Sequence, residues 1–221
     1  MTSSQPRVGI LGGTFDPVHV GHLAVGEAAC GALGLSEVLV IPSRHPPHRR
    51  TEPEASGYHR FAMVALAIAD KPSFVANDVE LLADSWSYTS VTLGRLHQAA
   101  FDAWQLFFIT GADAFAEIAT WKDYPAVLDL ANFVVISRPG HPVEALPGRL
   151  PTLRDRMIMR QTAGPDDGVG PADRTKIWLV DAPTPDVSST EVRRLAGAGR
   201  SLEGLVPPAV EQYMMRHHLY R

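Results

Sequence analysis

The chain has 221 residues, of which 45% are hydrophobic and 20% are charged, a composition typical of a globular protein with one sizeable core. Its formal net charge of -4 does not indicate a surface for nucleic acids or anionic membranes, so an anionic substrate would need positive charge gathered locally. The single cysteine, Cys30, excludes an intrachain disulfide and a metal site built from several cysteines.

Two further features argue against export or membrane insertion. Residues 1–6 are polar and contain no apolar signal-peptide core. The longest apolar run, residues 61–69, is far too short to span a bilayer. We therefore expect a cytoplasmic protein without membrane or nucleic-acid partners. The sequence leaves open whether the chain forms a homo-oligomer.

The first forty residues predict a βαβ unit. An apolar strand over residues 8–11 ends in Gly12 and Gly13, a helix follows over residues 22–33, and a second strand covers residues 37–41. Gly34 is a typical helix stop. Strands joined in this way pair in parallel with a right-handed crossover.

The same alternation continues along the chain. Further strands are predicted at 74–77, 106–110, 133–137 and 177–180, and helices at 60–70, 90–99, 113–119, 189–196 and 208–217. We expect a single α/β domain over residues 1–221 with a doubly wound, mostly parallel, Rossmann-like sheet. Residues 140–173, rich in glycine, proline and charge, predict an irregular insertion with a helix near 150–160.

The segment from Gly12 to His22 is the most informative part of the sequence. It lies where the first strand meets the first helix, and ligands of open α/β sheets bind at the carboxyl ends of strands. A helix N-terminus there offers free N–H groups and a dipole that favours phosphate. The glycines let the backbone approach a ligand, and Thr14 can donate a hydrogen bond. His19 and His22 are spaced to reach one point.

Two imidazoles beside a helix N-terminus suit phosphoryl or nucleotidyl transfer, which needs positioning and donors aimed at charge on the phosphate. The segment is neither a P-loop nor a dinucleotide fingerprint, because it lacks the Gly-Lys-Ser/Thr ending and the GxGxxG spacing. A His-x-x-His pair by itself could also bind a metal, although no nearby acidic or cysteine residue completes a zinc site. The complete string favours phosphate chemistry.

Residues 187–194 predict a second phosphate site. Ser188 and Glu191 have the spacing of a capping box, which marks a helix start. A well-capped helix is a sufficient explanation by itself, but the position after the 177–180 strand places another helix N-terminus at the sheet edge. Arg193 would lie about one turn into this helix, where a guanidinium can hold a phosphate with two donors.

Three weaker signals complete the pattern. Residues 46–50 form a stiff loop of two prolines followed by cations, which is as compatible with a solvated surface as with binding. Asp113 follows a strong strand, where an acidic residue often holds a ribose hydroxyl. Trp121 lies in a predicted loop, where an aromatic side chain belongs to the core more often than to a ligand site.

Together these segments resemble the bacterial nicotinate-nucleotide adenylyltransferases over nearly the whole chain. The family's Gly-Gly-Thr-Phe-Asp-Pro-x-His-x-Gly-His string, the HxGH motif, is complete at residues 12–22. Other family elements match residues 46–49, 87–89, 111–113, 121, 138–140, 187–193, 205–208 and 219–220. The elements at 12–22 and 187–193 also occur in other adenylyl- and cytidylyltransferases and specify the reaction class. The elements around 46–49, 88–89 and 121 narrow the substrate.

The resemblance implies the Rossmann-like fold of the HxGH nucleotidyltransferases and a specific reaction. AMP would pass from ATP to nicotinate mononucleotide, giving deamido-NAD and pyrophosphate. The 5′-phosphate of the mononucleotide would attack the α-phosphorus of ATP directly, with Mg²⁺ carried on the polyphosphate and no protein metal site. His19 and His22 would be the catalytic pair that steadies the phosphates and the developing charge.

The resemblance also divides the site residues between the two substrates. ATP and its phosphates would be bound by Gly12, Gly13, Thr14, Phe15, Asp113, Ser188, Ser189, Thr190 and Arg193. The mononucleotide would be bound by Ser43, His48, Arg49, Tyr88, Thr89 and Trp121. Trp121 would stack on the nicotinate ring, and backbone N–H groups near Thr89 would bind its carboxylate.

Two positions on the pyridine side depart from the family pattern. Val91 stands where many members carry an acidic residue, and Lys122 stands where an aromatic residue is common beside the tryptophan. They leave open an acceptor such as nicotinamide mononucleotide or another phosphorylated molecule. A non-catalytic ATP sensor and a zinc hydrolase are alternatives from other classes. The intact histidine pair argues against the sensor, because a pure binder does not need it.

Overall fold

Short apolar runs form the strands of one sheet. The computed structural model describes residues 6–47, 51–161, 171 and 173–221. Within these ranges seven strands are present: β1 Val8–Gly13, β2 Glu37–Pro42, β3 Phe74–Ala76, β4 Leu106–Gly111, β5 Asn132–Ile136, β6 Met157–Arg160 and β7 Ile177–Val180. The residues of the five inner strands, β1, β2, β4, β5 and β7, are buried almost without interruption, as expected for parallel strands covered on both faces.

The strand order is β3-β2-β1-β4-β5-β7-β6, and every neighbouring pair is parallel. The chain winds outward from β1 to β3 and then returns to place β4 on the other side of β1. This reversal opens a crevice between the carboxyl ends of β1 and β4, the place where open α/β sheets bind ligands. The predicted doubly wound, Rossmann-like fold is confirmed.

Helices cover both faces of the sheet. The described α-helices are α1 Val20–Leu33, α2 Gly57–Ala67, α3 Thr89–Gln98, α4 Ala112–Phe115, α5 Leu146–Arg149, α6 Ser189–Gly197 and α7 Pro208–Arg216. Successive side chains of β4 point to opposite faces. Phe107 and Ile109 join the core under α1, α2, α6 and α7, whereas Leu106 and Phe108 join the core under α3, α4 and α5.

None of the described helices is both long and apolar enough to cross a lipid bilayer. The described elements match the predicted ones closely in place and type. Gly34 ends α1 in the left-handed conformation with φ of 59°, as its position predicted. The predicted 113–119 helix is shorter, since α4 gives way to a separate 3-10 turn at Ile118–Thr120.

The prediction of a helix near residues 150–160 is wrong. Pro151–Arg156 is a 3-10 turn, and Met157–Arg160 is the edge strand β6, paired in parallel with β7. Arg156 fixes this arrangement by donating to the carbonyls of Leu128 and Thr175. Strand pairing and these contacts therefore override the local helical pattern. Of the predicted 140–173 insertion, residues 143–149 form a 3-10 turn and α5, and residues 162–170 and 172 lie outside the described residues.

Candidate active site

A cleft of about 380 Å³ opens at the carboxyl ends of β1 and β4. It brings together predicted site residues that are up to about half the chain apart in sequence. Its lining includes Gly12, Gly13, Thr14, His22, Ser43, Pro46, Pro47, Glu80, Ser87, Tyr88, Thr89, Asp113, Trp121, Lys122 and Arg138. Nucleotide-side and mononucleotide-side predictions thus meet in one continuous cavity.

The two motif histidines stand at the start of α1. Their rings are stacked, with centroids 3.7 Å apart and an interplanar angle of 29°. The backbone N–H of His19 donates to Nδ1 of His22 at 3.2 Å. Nδ1 of His22 is therefore the acceptor nitrogen, and in the neutral ring the proton lies on Nε2. His22 lines the cleft, while His19 is only 2% exposed and packs behind it.

Both imidazoles are uncharged in the free protein. Burial, with a smaller contribution from the charge of Arg138, lowers the pKa of His19 to about 4. The pKa of His22 also lies well below its usual range, mainly because of burial and further because Arg138 and a protonated His19 would repel a second positive charge. Nδ1 of His19 has no hydrogen-bond partner in the described structure. The pair thus presents neutral polar groups beside a helix N-terminus.

Small residues let the motif loop fold tightly. A Cβ atom on Gly21 would lie 3.1 Å from Nδ1 of His19 and 3.3 Å from the carbonyl oxygen of Pro185. A Cβ atom on Gly13 would lie 2.9 Å from the ring of Phe15. Phe15 is buried and its ring meets the His22 ring edge to face at 4.9 Å. Phe15 therefore supports His22 from below and does not line the cleft.

Asp16 anchors the loop between β1 and α1. Its carboxylate is fully buried and accepts hydrogen bonds from the backbone N–H groups of Glu54 and Ala55, both at 3.0 Å. The hydroxyl of Tyr220 donates to the same carboxylate at 2.8 Å. Arg60, also buried, donates to the carbonyl of Thr14 at 2.6 Å. Segments distant in sequence therefore set the position of the histidine pair.

The start of α6 packs against this loop. Ser188 caps the helix by accepting from the backbone N–H of Glu191 at 3.2 Å, as predicted. The carboxylate of Glu191 binds Arg194 rather than completing the capping box. The hydroxyl of Ser189 donates to the carbonyl of Pro17 at 2.9 Å. This anchors the α6 N-terminus beside the histidine helix.

Arg193 is engaged within the same region. Its Nε donates to the carboxylate of Glu54 and its Nη1 donates to the carbonyl of Asp16, both at 2.6 Å. Thr190 is exposed. The cleft lining does not include any of the four residues predicted at the start of α6, which are Ser188, Ser189, Thr190 and Arg193.

The opposite wall of the cleft contains the residues predicted for the mononucleotide. Ser43 is 6% exposed, and its hydroxyl has no partner among the described residues. Tyr88 caps α3, so Thr89 is the first helical residue. Trp121 is half-buried and meets Phe108 edge to face at 5.8 Å. His48 and Arg49 lie outside the described residues.

Some cleft residues were not predicted. Arg138 follows β5, and its charge acts on both histidines, although only its place in an Arg-Pro-Gly element marked it in the sequence. Ser87 accepts from the backbone N–H of Arg44 at 3.0 Å and joins the two loops at the pyridine end. Glu80 is buried, accepts from Thr92, and has a raised pKa mainly because of burial. No local pattern marked Glu80.

Comparisons with known proteins agree with this architecture. A family model described as cytidylyltransferase-like matches residues 10–195. A Geotalea daltonii protein named "Probable nicotinate-nucleotide adenylyltransferase" is 38% identical over 215 residues, covering 97% of this chain and 98% of that protein. A Roseiflexus sp. protein of the same name is 39% identical over 221 residues, covering 99% of this chain and 100% of that protein.

The chain belongs to the nicotinate-nucleotide adenylyltransferase family. The family predicted from the motifs is thereby confirmed, and it is a family of nucleotidyltransferases. The Plasmodium falciparum nicotinic acid mononucleotide adenylyltransferase complexed with NaAD has the same fold, with a TM-score of 0.70 at 16% identity over 98% of both chains. The structure of that enzyme complexed with APC has a TM-score of 0.71 at 17% identity, also over 98% of both chains.

Proposed function

We propose that this adenylyltransferase family member transfers AMP from ATP to nicotinate mononucleotide, forming deamido-NAD and pyrophosphate. The observation that carries the proposal is the stacked pair His19 and His22, because His22 lines the same cleft as Tyr88, Thr89 and Trp121. A phosphate site and an aromatic ring site in one cavity suit a reaction between two nucleotides.

The histidine end suits the chemical step. An oxygen of the mononucleotide 5′-phosphate bonds to the α-phosphorus of ATP, the bond from that phosphorus to the bridging oxygen breaks, and pyrophosphate leaves with the electron pair. Negative charge grows on the phosphate oxygens during this step. Nε2–H of His22 and the guanidinium of Arg138 are donors that can stabilise it.

Mg²⁺ enters as part of the Mg·ATP substrate. Among the described residues there is no group of three or more His, Cys, Asp and Glu side chains that could hold a metal ion. An ion carried by the polyphosphate would neutralise charge on the β- and γ-phosphates. Metal analysis of the purified protein tests the zinc hydrolase alternative, because bound zinc would contradict the transferase assignment.

The remaining assignments follow the two ends of the cleft. Gly12, Gly13 and Thr14 border the phosphates, and Asp113, exposed at the start of α4, faces the adenosine. Arg193 contacts phosphate only when the ATP phosphates replace its partner Glu54. Ser43 offers its unpartnered hydroxyl to the mononucleotide. In this proposal residues 1–221 act as a single domain.

A pyrophosphate-release assay with several acceptors tests the proposal. With Mg·ATP, we expect release with nicotinate mononucleotide and much less with nicotinamide mononucleotide or an unrelated phosphorylated molecule. We expect His22→Ala to lose about 99% of turnover, because one preorganised donor to transition-state charge contributes about a hundredfold or more. Its far-ultraviolet circular dichroism and unfolding midpoint should resemble the wild type.

His217→Ala is the matched control, since His217 is exposed beyond the end of α7. It should retain full turnover. No release with nicotinate mononucleotide would overturn the proposed reaction, and ATP binding without any consumption would favour a sensor. Near-wild-type turnover of His22→Ala would remove that histidine from the mechanism.

A further inference from the structure

The pyridine end of the cleft has a cation that the family pattern does not supply. Lys122 follows Trp121 and lines the cleft, with its Nζ atom 5.6 Å from the centroid of the Tyr88 ring. Its side chain is 44% exposed and therefore partly solvated. Trp121, Tyr88 and Lys122 together form one corner of the cavity.

Asp123 holds this ammonium group in place. One carboxylate oxygen of Asp123 lies 3.2 Å from Nζ of Lys122, and the other accepts from the hydroxyl of Ser90 at 2.6 Å. Both contacts lower the pKa of Asp123, with Ser90 contributing most. Lys122 and Tyr88 line the cleft whereas Asp123 does not, so Asp123 binds the ammonium group from outside the lining. The bridge ties the Trp121 loop to the first turn of α3.

The start of α3 adds further positive potential at the same corner. The N–H groups of Val91 and Thr92 donate to the carbonyl of Tyr88, whereas those of Thr89 and Ser90 have no partner in the part of the chain described. α3 has ten residues, and the unpaired N–H groups at its start carry partial positive charge. Lys122 therefore adds the positive end of its ion pair with Asp123 to a place that already favours an anion.

The acidic residues of the cleft do not cancel this potential. Glu80 is buried, bonded to Thr92, and its raised pKa favours the protonated form more than in solution. Asp113 belongs to a different element from the one beside Lys122: it lies in α4, which follows β4, whereas Asp123 joins the Lys122 loop to α3. An acceptor carboxylate seated against Trp121 would thus meet Lys122 and the α3 N-terminus, but an amide would gain little from either.

We propose that Lys122, positioned by Asp123, determines the preference of this protein for a pyridine mononucleotide with a carboxylate over one with a carboxamide. The inference rests on the proposed function and assigns the specificity of the same site. A partly exposed charge contact contributes about 1 kcal/mol, which corresponds to about a fivefold change in the ratio of kcat/KM for the two acceptors.

The test compares kcat/KM for nicotinate and nicotinamide mononucleotides in Lys122→Met, which keeps the apolar stem and removes the charge. We expect the acid-to-amide ratio to fall about fivefold, through a higher KM for the acid, with kcat and the KM for ATP unchanged. Direct titration with nicotinate mononucleotide alone should show binding weakened by the same factor. Lys122→Arg should restore most of the ratio.

Lys176→Met is the matched control, because it removes the same charge at the amino end of β7, whereas the cleft lies at the carboxyl ends of the strands. It should leave the ratio unchanged. Raising the salt concentration should lower the wild-type ratio but not that of Lys122→Met. An unchanged ratio in Lys122→Met, with nicotinate mononucleotide still turned over, overturns the inference alone. Failure of the wild type to use either acceptor overturns the proposed function and the inference with it.

Discussion

The imidazole of His19 is more acidic in the folded chain than in the unfolded chain, so it links stability to pH. It takes up a proton near pH 6.5 when unfolded but only near pH 4 when folded. Between these values the unfolded chain binds more protons than the folded chain. The contribution of His19 to the free energy of unfolding is therefore complete above pH 6.5 and is lost as the pH falls to 4. The loss amounts to at most about 3 kcal/mol.

Urea unfolding at about pH 7 and about pH 5 measures this loss in the wild type and in His19→Asn, which cannot titrate there. We expect the wild type to lose more stability than the variant over this interval. Comparison of the two removes the contributions of carboxylates common to both proteins. Equal losses would show that His19 is not held neutral in the folded state.

Among single residues, the sequence predicted those whose place in the cleft follows directly from the strand or helix that carries them. Thr14, His22 and Asp113 line the cleft because each follows a strand at the carboxyl edge. It could not predict the partners of Arg193, because Asp16 and Glu54 reach it only through the tertiary fold. The burial of Phe15 was missed for the same reason.

Among the elements, α1 contains three glycines, and the surroundings of two of them differ sharply. A Cβ atom on Gly26 would lie 2.7 Å from the Phe74 ring, whereas one on Gly31 would meet nothing within 4 Å. We expect Gly26→Ala to destabilise the protein by about 1–3 kcal/mol through overpacking. Gly31→Ala should stabilise it by about 0.5–1 kcal/mol, because alanine is the better helix former.

Each variant is the control for the other, since the substitution and the helix are the same. Chemical unfolding monitored by tryptophan fluorescence gives both free energies. A loss of stability in Gly31→Ala would contradict the open surroundings of that position, and no loss in Gly26→Ala would contradict the packing of α1 against β3.

Elements with apolar runs bounded by glycine or proline were predictable, because burial and backbone sterics act locally on them. β1, β4 and β7 begin within a residue of their predicted positions. β6 was not predictable, since its four residues become a strand only by pairing with β7 across the edge of the sheet. The pattern at 150–160 has no alternation strong enough to indicate this.

For the whole molecule, the contact between Tyr220 and Asp16 joins two ends of the sequence. The two residues are 204 positions apart, and their hydrogen bond is 2.8 Å long. We expect Tyr220→Phe to cost about 1.5–3 kcal/mol, because the acceptor is a buried carboxylate. Turnover should fall several-fold, since the same carboxylate fixes the loop that precedes His19.

Tyr213→Phe is the control, because its hydroxyl bonds to His59 at 3.0 Å on the side of α2 and α7. It should lose about 1 kcal/mol and no activity. Unfolding in urea and steady-state turnover are the two measurements. Full activity and full stability in Tyr220→Phe would show that Asp16 does not depend on the C-terminal segment.

The doubly wound topology was predictable from the alternation of strands and helices, because few chain paths satisfy right-handed crossovers. The closure of the motif loop by Tyr220, Arg193 and Ala55 was not, since it depends on where remote segments end in space.

The buried carboxylate of Asp16 also orders events during synthesis on the ribosome. The loop that carries the histidines leaves the ribosome early, but its last partner, Tyr220, follows 204 residues later. At bacterial or eukaryotic elongation rates this interval is roughly 10–40 s. During that time the nascent chain can pair β1 with β2 and β4, yet the loop that precedes His19 lacks its hydrogen bond to Tyr220. Full ordering of the motif loop thus waits until Tyr220 has been synthesised.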